Sequence, residues 1–438
     1  MNETTAVPAR ATQVESTPTE WKWVDRTIWT ERMLAALGNG VKGNKWFSLI
    51  DKVYRPGTLQ AAWERVKGNR GAAGVDGQSI DAFAANAQRY LDELAKELEA
   101  GQYHPQAVRR VEISKGGGKT RPLGIPTVKD RIVQAAVKRV IEPIFEREFV
   151  PMSYGFRPGR GCNDALREVD GYLKEGYTHV VDADLKGYFD SIPHQLLKAR
   201  IEDHISDGRL LELLAGWLRQ DIVKGLERWT PTGGTAQGAV ISPLLANIYL
   251  HRLDERMTKL GYAMVRYADD FLILCQSAER AHAALEEVKT WVQENGLSLH
   301  PDKTHIGDCR IRGQGFEFLG YRFEAGKRWV RKKSLQGFKD KIREKTGRSR
   351  GDSLSAIIAD ITPMIQGWYG YFKHAYRSTF PELDKFIRRR LRAILRKQEK
   401  RPGASKCHAD HKRWPNAYFA QMGWFTMTQT HKLASQSR

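Results

Sequence analysis

The middle of the chain is patterned as short strands that carry acidic residues. Residues 179–185 alternate in polarity, so their apolar side chains share one face of a strand while Asp182 and Asp184 share the other. Farther along, Asp269 and Asp270 separate two apolar runs, which is the pattern of a tight β-hairpin with adjacent carboxylates at its tip. The sequence therefore predicts two acidic strands that are far apart along the chain.

A helical stretch, 196–217, lies between the two acidic strands, and a split βαβ arrangement brings such strands together in one sheet. Either acidic pair alone would also fit a turn or an edge strand. Together they are better explained as one metal-binding cluster, because adjacent carboxylates repel each other unless a cation neutralises them. Hard oxygen ligands favour Mg²⁺ over zinc, and two such ions are suited to phosphoryl transfer.

A second hairpin is predicted over residues 108–126, where short β-like pieces surround a run of glycines. Lys115, Lys119 and Arg121 place cations on this flexible tip, and such groups are suited to phosphate oxygens. The tip can close over a triphosphate, although an ordinary solvated hairpin has the same pattern. The glycine-rich loop 68–77 is by itself evidence only for a turn.

Helices dominate the last part of the chain, and prolines mark two predicted helix starts. Thr362 fits an N-cap before Pro363, and Ser378 or Thr379 fits one ahead of Pro381. The second helix has an apolar face formed by Leu383, Phe386, Ile387, Leu391, Ile394 and Leu395. The rest of its surface is basic, with Arg388, Arg389, Arg390, Arg392, Arg396 and Lys397. A face this basic is suited to a nucleic-acid backbone.

The charge is distributed unevenly along the chain. There are 71 Lys+Arg against 51 Asp+Glu, a net charge of +20, and residues 327–438 alone contribute 27 Lys+Arg and 8 Asp+Glu, a net of +19. A near-neutral body with an acidic site, followed by a basic region, indicates chemistry in the first part and phosphate binding in the second. The alternative is a solvated basic face that serves solubility. Aromatic residues within 406–424 suit either base stacking or a small aromatic core.

Neither a targeting segment nor a membrane span is predicted. The beginning of the chain, 1–20, is predicted to be a disordered leader without the apolar core of a signal peptide, and no apolar run is long enough to cross a bilayer. The four cysteines form no CxxC pair, so neither a zinc knuckle nor a disulfide framework is expected; they are Cys162, Cys275, Cys309 and Cys407. These features predict a cytoplasmic protein with no membrane partner.

Seven motifs follow one another along the chain: KTRPLGIP at 119–126, YGFRP at 154–158, DLKGYFD at 184–190, QGAVISPLLAN at 237–247, YADD at 267–270, KT at 303–304 and FLGY at 318–321. In this order they resemble the reverse transcriptase/maturase proteins encoded by bacterial group II introns. The resemblance extends from about residue 59 to the C-terminus, and the segment 367–372 with the basic helices after it resembles the maturase thumb.

The resemblance implies an α+β fold of the right-hand polymerase type, in which fingers and palm with a split βαβ antiparallel sheet precede an α-helical thumb. The implied boundaries are 1–58 for the leader and N-terminal extension, 59–325 for the reverse transcriptase fingers and palm, 326–400 for the RNA-binding thumb/maturase domain, and 401–438 for a small basic region that is a candidate for DNA binding and whose role stays open.

The resemblance also implies the metal site. The carboxylates expected to hold two Mg²⁺ ions, for which Mn²⁺ can substitute, are Asp184, Asp269 and Asp270. The resemblance also places Leu185 among the metal and nucleotide contacts. Asp182 and Asp190 are the less favoured acids. Catalysis would then depend mainly on positioning and electrostatics.

The remaining implied roles concern the nucleotide and the primer. Those residues are Lys115 and Arg121 for gripping the triphosphate, Phe189 for excluding a ribose 2′-OH, Gln237 for lining the nucleotide pocket, and Lys303 for protonating pyrophosphate. Residues 318–321 are expected to hold the primer strand. The glycine run leaves both lysines of the tip within reach of the triphosphate, and the spacing from Arg121 favours Lys115 over Lys119.

The implied activity is RNA-directed DNA synthesis from dNTPs on an RNA template with a DNA primer. Binding of a group II intron RNA would promote its splicing, and target-primed synthesis on target DNA would support retrohoming. The chain shows no HNH endonuclease with paired cysteines, which suggests an endonuclease-lacking, group IIC-like lineage. Two alternatives stay open: an RNA-binding splicing factor without polymerase activity, and a domesticated enzyme in defence or repair. The oligomeric state, including a homodimer, is also open.

Overall fold

The computed structural model describes residues 21–116, 118–401 and 408–436. The predicted leader and Cys407 lie outside this part of the chain. The described residues form two compact units, each assembled from three segments. The first contains the residues up to Val169, then Ala183–Phe271 and Leu285–Asp302; the second contains Asp170–Asp182, Leu272–Ala284 and the residues from Lys303 onward.

Five helices and a hairpin come first along the chain. They are α1 (Glu31–Asn39), α2 (Ile50–Val53), α3 (Pro56–Gly68), α4 (Ile80–Ala84), α5 (Ala87–Ala100), β1 (Val108–Gly116) and β2 (Lys119–Ile125), with a short 3₁₀ turn over Lys42–Asn44. The next elements are α6 (Val128–Glu148), α7 (Cys162–Lys174), β3 (His179–Asp184), α8 (Tyr188–Ser191), α9 (His194–Glu202), α10 (Gly208–Leu218), β4 (Ile222–Lys224) and β5 (Glu227–Trp229).

The elements that follow lead from the acidic hairpin to the C-terminal helices. They are α11 (Ser242–Lys259), β6 (Ala263–Tyr267), β7 (Asp270–Cys275), α12 (Ala278–Glu294), β8 (His305–Asp308), β9 (Phe316–Phe318), β10 (Tyr321–Glu324) and β11 (Lys327–Val330). The chain continues with α13 (Lys332–Lys345), α14 (Leu354–Phe372), α15 (Thr379–Gln398), α16 (His408–Arg413), α17 (Asn416–Gln421) and α18 (Met427–Gln436). None of the described helices is long and apolar enough to cross a membrane.

The strands form three small sheets, and helices surround them. The strand orders are β2-β1-β4-β5, β6-β7-β3-β8 and β11-β10-β9. Strands β1 and β2 pair antiparallel, with Ile113 opposite Arg121, so the predicted cationic hairpin is confirmed. Both acidic strands are also confirmed, and β3 lies directly beside β7 in one sheet. Mixed helices and sheets of this kind confirm the predicted α+β class.

Helix α6 is one of the most buried helices of the first unit, with two thirds of its residues buried. Its N-cap is Thr127, whose hydroxyl accepts a hydrogen bond of 3.1 Å from the backbone N–H of Asp130. The Asp130 side chain is almost fully buried and accepts hydrogen bonds from Thr127, from the Tyr103 hydroxyl and from the backbone N–H of Gln106. Burial raises the pKa of the Asp130 carboxyl, and these donors oppose the shift.

The start predicted for the first C-terminal helix is wrong. Helix α14 begins at Leu354, after Ser353, whose hydroxyl caps the backbone N–H of Ala356, and Pro363 lies inside the helix. The helix continues through the proline because apolar residues on both sides of it are buried. The Thr362 hydroxyl donates instead to the Ile358 carbonyl at 2.8 Å. The position of the second predicted start is confirmed, since α15 begins directly after Ser378, but the Ser378 side chain makes no capping hydrogen bond and Pro381 is the third residue of the helix.

The basic surface predicted for α15 is largely committed to contacts within the second unit. Arg392 is buried and donates to the Trp414 carbonyl at 2.9 Å, and Arg396 pairs with the fully buried Asp410. Arg390 donates to the Thr346 hydroxyl, and Arg388 lies over the ring of Trp424. Among the six basic residues named above, only Arg389 and Lys397 are exposed. The prediction of an all-round basic surface is therefore wrong, because the C-terminal helices pack on it.

The aromatic residues near the C-terminus form a small core, which was one of the two readings of that segment. Trp414, Phe419 and Trp424 are buried. Asp384 of α15 is fully buried as well, and it accepts hydrogen bonds from the backbone N–H groups of Met427 and Thr428 at the start of α18. This carboxylate therefore fixes the last helix to α15.

Replacing Asp384 with alanine is expected to destabilise the docking of α18 by roughly 1–3 kcal/mol, because two backbone donors and the Thr428 hydroxyl lose their acceptor. Hydrogen exchange of the amides in 427–436 should become faster by the corresponding factor. Asp340→Ala, at an exposed position in α13, is the matched control and should leave those rates unchanged within about 0.5 kcal/mol. Equal exchange rates in the two variants would contradict this role of Asp384.

Candidate active site

The turn between β6 and β7 presents two carboxylates. Both flanking strands are buried, including Val265 and Phe271, so the backbone on each side of the turn is fixed. Ala268 adopts a left-handed conformation, with φ of 59°, which a non-glycine residue rarely adopts. Asp269 and Asp270 follow it and are partly exposed. The sequence therefore makes a rigid support with an accessible acidic tip.

The third predicted carboxylate lies at the end of a neighbouring strand. Asp184 is the last residue of β3, and Asp270 is the first residue of β7, the adjacent strand in the sheet. The backbone N–H of His300 donates to the Asp184 carbonyl at 2.8 Å, and Lys186 donates to the Ser298 carbonyl at the same distance. The buried Leu185 lies between these two bonds, so the main chain at the acid is held on both sides.

The three carboxylates are the kind of ligand that Mg²⁺ prefers. Across 21–116, 118–401 and 408–436, no three side chains of His, Cys, Asp or Glu lie close enough together to enclose an ion. The donor chemistry thus fits the metal, while a closed cage is not formed by the described side chains alone. A substrate phosphate and water commonly complete the coordination of Mg²⁺ at such sites.

A buried arginine supports the acidic turn. Arg266 is fully buried, and its five N–H groups all have acceptors. Two of them form a bidentate pair with the equally buried Asp254. The others reach the Asn247 side chain at 2.9 Å, the Ala268 carbonyl at 2.9 Å and the Ser153 hydroxyl at 2.7 Å. One guanidinium therefore ties the carbonyl that precedes Asp269 to two distant segments, α11 and the stretch around Ser153.

A tight backbone contact closes the other side of the turn. A Cβ atom added to Gly155 would lie 2.3 Å from the backbone nitrogen of Ala268, so only glycine fits there. The Asn247 amide donates to the Gly155 carbonyl at 2.8 Å, and the backbone N–H of Tyr154 donates to the Arg266 carbonyl at 2.9 Å. The motif at 154–158 is thus a backbone support for the acidic turn.

Two aromatic side chains flank the acids. The ring of Phe156, which is half exposed and has a left-handed φ of 59°, lies 6.4 Å from the ring of Tyr267. Burial, together with a hydrogen bond to the Cys162 thiol, raises the pKa of Tyr267 to about 12. The phenol therefore remains protonated at neutral pH and adds no further negative charge beside the carboxylates.

The predicted nucleotide-pocket residues lie on backbone that is closely packed in the first unit. The carbonyl of the half-buried Phe189 accepts a hydrogen bond of 2.6 Å from the backbone N–H of Thr235. Glycine at position 234 allows this close contact, since an added Cβ atom would lie 2.7 Å from the Phe189 carbonyl oxygen. The Gln237 carbonyl accepts from the backbone N–H of Gly124 in β2 at 2.7 Å, which joins this motif to the cationic hairpin.

The cations predicted for the triphosphate are only partly described. Arg121 is exposed on β2. The backbones of Lys115 and Lys119 belong to β1 and β2, but their side chains lie outside the described part of the structure, so the preference for Lys115 remains a prediction. Lys303 is exposed and belongs to the second unit.

Asp182 and residues 318–321, for which the sequence analysis gave roles, lie in the second unit. Asp182 is nearly buried, accepts a hydrogen bond of 3.4 Å from the backbone N–H of Glu317 and lies 3.9 Å from His305. Its lower ranking as a metal ligand stays a prediction. Of the residues at 318–321, Phe318 and Tyr321 are buried, so only the turn between them is accessible.

Sequence reasoning missed Arg266, Asp254 and Asn247. The signal for the first was present, because a charged residue within the apolar run before the two aspartates is unusual for a buried strand. Its partners could not be identified from the sequence, since Asn247 and Asp254 lie on α11 and are not marked by any pattern of polarity.

An acidic turn and an acidic strand end on adjacent strands of one sheet are the features expected of the palm of a nucleic-acid polymerase. Residues 113–323 match the family model "Reverse transcriptase (RNA-dependent DNA polymerase)", and residues 335–414 match "Group II intron, maturase-specific domain". The chain belongs to the family of group II intron-type reverse transcriptase/maturases.

Its curated relatives include YkfC of Escherichia coli (strain K12), which is 34% identical over 358 residues, covering 71% of this chain and 91% of YkfC. The group II intron-encoded protein LtrA of Lactococcus lactis subsp. cremoris is 36% identical over 209 residues, covering 47% of this chain and 34% of LtrA. In the solved partial Cas6-RT-Cas1--Cas2 complex, a chain is 25% identical with a TM-score of 0.37, covering 56% of this chain and 42% of that one.

Proposed function

We propose that the protein extends a DNA primer on an RNA template with dNTPs, and that Asp184, Asp269 and Asp270 hold the catalytic Mg²⁺ ions. The observation that carries the proposal is the placement of Asp184 and Asp270 at the ends of adjacent strands, within motifs of a reverse transcriptase family. The main-chain carbonyl of Leu185 is the further oxygen assigned to the metal. Two bound Mg²⁺ ions would activate the primer 3′-OH and neutralise the leaving pyrophosphate.

The other residues of the first unit would bind and orient the nucleotide. Arg121, with Lys115 of the same hairpin, would hold the triphosphate through charge-assisted hydrogen bonds. Phe189 would lie against the sugar, and Gln237 would line the pocket. In the second unit, Lys303 would donate a proton to pyrophosphate, and residues 318–321 would hold the primer.

The direct test is primer extension by the wild-type chain. DNA synthesis on an RNA template that depends on added Mg²⁺, is supported by Mn²⁺ and stops with a chelator is the expected result. A folded wild-type protein that extends no primer, yet binds RNA, would favour the splicing factor without polymerase activity.

Replacing Phe189 with valine is expected to lower the preference for dNTPs over rNTPs by on the order of tenfold to a hundredfold, because a smaller side chain leaves room for a 2′-OH. Competition between dNTPs and rNTPs in single-nucleotide addition measures the ratio. Phe47→Val, at a site that is 65% exposed in the same unit, should keep the wild-type ratio. An unchanged ratio of dNTP to rNTP incorporation in Phe189→Val would show that this residue does not contact the sugar.

The maturase part of the proposal concerns the basic second unit, which is proposed to bind a group II intron RNA and promote its splicing. Support comes from the maturase-specific match and from the net charge of +19 over residues 327–438. Retrohoming at target DNA by target-primed synthesis is the associated proposal for the whole protein. The buried, free thiols of Cys275 and Cys309 support a reducing compartment such as the cytoplasm.

A splicing assay separates this role from polymerisation. Addition of the protein to a transcribed group II intron with its exons should increase the splicing rate at low Mg²⁺, and RNA binding should weaken steeply with salt. RNA binding that is independent of salt would contradict the proposed backbone contacts.

A further inference from the structure

Trp329 of β11 and Tyr376 of the loop after α14 form an aromatic pair, and a lysine covers it. The rings of Trp329 and Tyr376 have centroids 4.7 Å apart, and both residues are partly exposed. The ammonium of Lys327 lies 4.6 Å from the centre of the Tyr376 ring and 5.9 Å from that of Trp329. A cation at this distance from two ring faces is attracted by both.

The backbone holds these residues in place. The β10–β11 hairpin turns through Ala325 and Gly326, both with left-handed φ, so Lys327 begins β11 directly after the turn. The backbone N–H of Tyr376 donates to the Arg328 carbonyl at 2.6 Å, which fixes the loop after α14 to this edge of the sheet. The aromatic pair is therefore part of a fixed surface.

Neighbouring positions along a strand face opposite sides of the sheet, and this applies to Arg328 and Trp329 of β11. Arg328 forms an ion pair of 2.8 Å with Asp170 and lies 4.8 Å from the ring centre of the buried Tyr321. Trp329 next to it lies on the other face of the strand and is partly exposed. A large aromatic side chain that is partly exposed is available for a ligand.

The surroundings are positively charged. The segments 325–335 and 373–378 contain seven Lys and Arg residues and no Asp or Glu. Arg328 and Arg331 have acidic partners, Asp170 and Glu317. The other five cations are exposed, and none of them lies within ion-pair distance of a carboxylate in the described ranges: Lys327, Lys332, Lys333, Lys373 and Arg377.

We propose that Trp329 and Tyr376, with these five cations, form a stacking platform for an unpaired base of single-stranded RNA. An incoming base would displace the Lys327 ammonium from the rings, and the freed ammonium would meet the phosphate of the same nucleotide. Every base has a π face, so such a platform tolerates any sequence, and the cations hold the backbone. The inference rests on the proposed RNA-binding function. It adds which surface binds the RNA and that the bound RNA is single-stranded.

An acidic protein surface fits these observations less well. The cations alone would suffice to bind an acidic protein, and the aromatic pair would then have no role. A single strand uses both, because its phosphates pair with the cations and its bases stack on the rings. Duplex RNA also uses the cations, but its bases are already stacked on each other and cannot reach a side-chain ring. The platform therefore predicts discrimination between single strands and duplexes.

The test is equilibrium binding of a short unstructured RNA and of a blunt RNA duplex, followed by fluorescence anisotropy over a range of salt. Trp329→Leu is expected to weaken single-strand binding about tenfold at every salt concentration, with the same salt slope. Duplex binding should change less than about twofold. Trp329→Phe, which keeps a ring, should recover most of the affinity, and this recovery also shows that the fold is intact.

Two further variants control the experiment. Trp23→Leu removes a tryptophan that is 37% exposed and next to Trp21, and it should leave both affinities unchanged. Lys332→Gln with Lys333→Gln should weaken both RNAs and lower the single-strand salt slope by about 0.7 for each lost phosphate contact.

Wild-type single-strand affinity in Trp329→Leu would overturn the platform, and so would an equal loss for the duplex. Primer extension by the same preparations keeps this outcome distinct from the proposed function. If the wild-type protein extends no primer but its single-strand binding still depends on Trp329, the proposed polymerase activity would be contradicted and the stacking platform would stand.

Discussion

Replacing Asp270 with asparagine is expected to slow nucleotide addition by roughly a thousandfold or more while the protein remains folded. The amide has nearly the same size as the carboxylate but lacks the charge that holds a divalent ion. Folding should not depend on this charge, because the turn is fixed by buried β-strand residues and by Arg266. Single-turnover primer extension measures the rate, and thermal unfolding checks the fold. The same loss is expected for Asp184→Asn and Asp269→Asn.

The control for this prediction is Asp190→Asn. Asp190 lies in the same motif as Asp184 and lines a cavity of about 360 Å³ with Arg110 and Trp229. Desolvation raises the pKa of the Asp190 carboxyl, and Arg110 opposes the shift. We expect its amide variant to keep the wild-type rate within about threefold. A fast Asp270→Asn, or an equally slow Asp190→Asn, would show that the metal ligands are assigned to the wrong acids.

The second large effect is expected for Arg266→Gln, which should lower the free energy of unfolding by about 3–5 kcal/mol. The substitution leaves Asp254 as a buried carboxylate without its cation, and it removes donors from the Asn247 side chain, the Ser153 hydroxyl and the Ala268 carbonyl. Chemical denaturation should show the loss. Arg256→Gln, which breaks a partly exposed pair with Glu287, should cost no more than about 1 kcal/mol.

A double variant separates stability from function. Arg266→Met combined with Asp254→Leu removes both buried charges and should recover most of the stability, because no unpaired charge remains. Activity should stay at least about tenfold below wild type, because the Ala268 carbonyl still lacks its donor and the turn is less well positioned. A double variant with full activity would mean that the arginine matters only for folding.

The elements that carry the catalytic motifs could be predicted from the sequence because their information is local. Strands β3, β6 and β7 follow from alternating or apolar runs, and the cationic hairpin from a glycine run between β-like pieces. The hairpin tip with Asp269 and Asp270 and the strand that carries Asp184 follow directly from these patterns. The pairing of β3 with β7 depended on recognising a split βαβ arrangement.

The remaining features depend on contacts between distant parts of the chain. The period of α15 identified its apolar face, but it could not show that Trp414 and Asp410 would engage two of its arginines. The proline at position 363 predicts a helix start at Thr362, whereas the buried apolar residues before it extend α14 back to Leu354. The support of the acidic turn was missed because Arg266 binds residues 12 to 113 positions away.

The guanidinium of Arg266 has consequences for the engineering and evolution of this site. All five of its hydrogens are donated, to four acceptor residues on three separate stretches of the chain, because Asn247 and Asp254 both lie on α11. The segment 266–270, which bears this arginine and the two aspartates, therefore cannot be transferred between polymerases on its own. A chimera that replaces it with a segment lacking the arginine will leave Ser153, Asn247 and Asp254 without their donor unless they are exchanged with it, so these positions are expected to co-vary as one inherited unit.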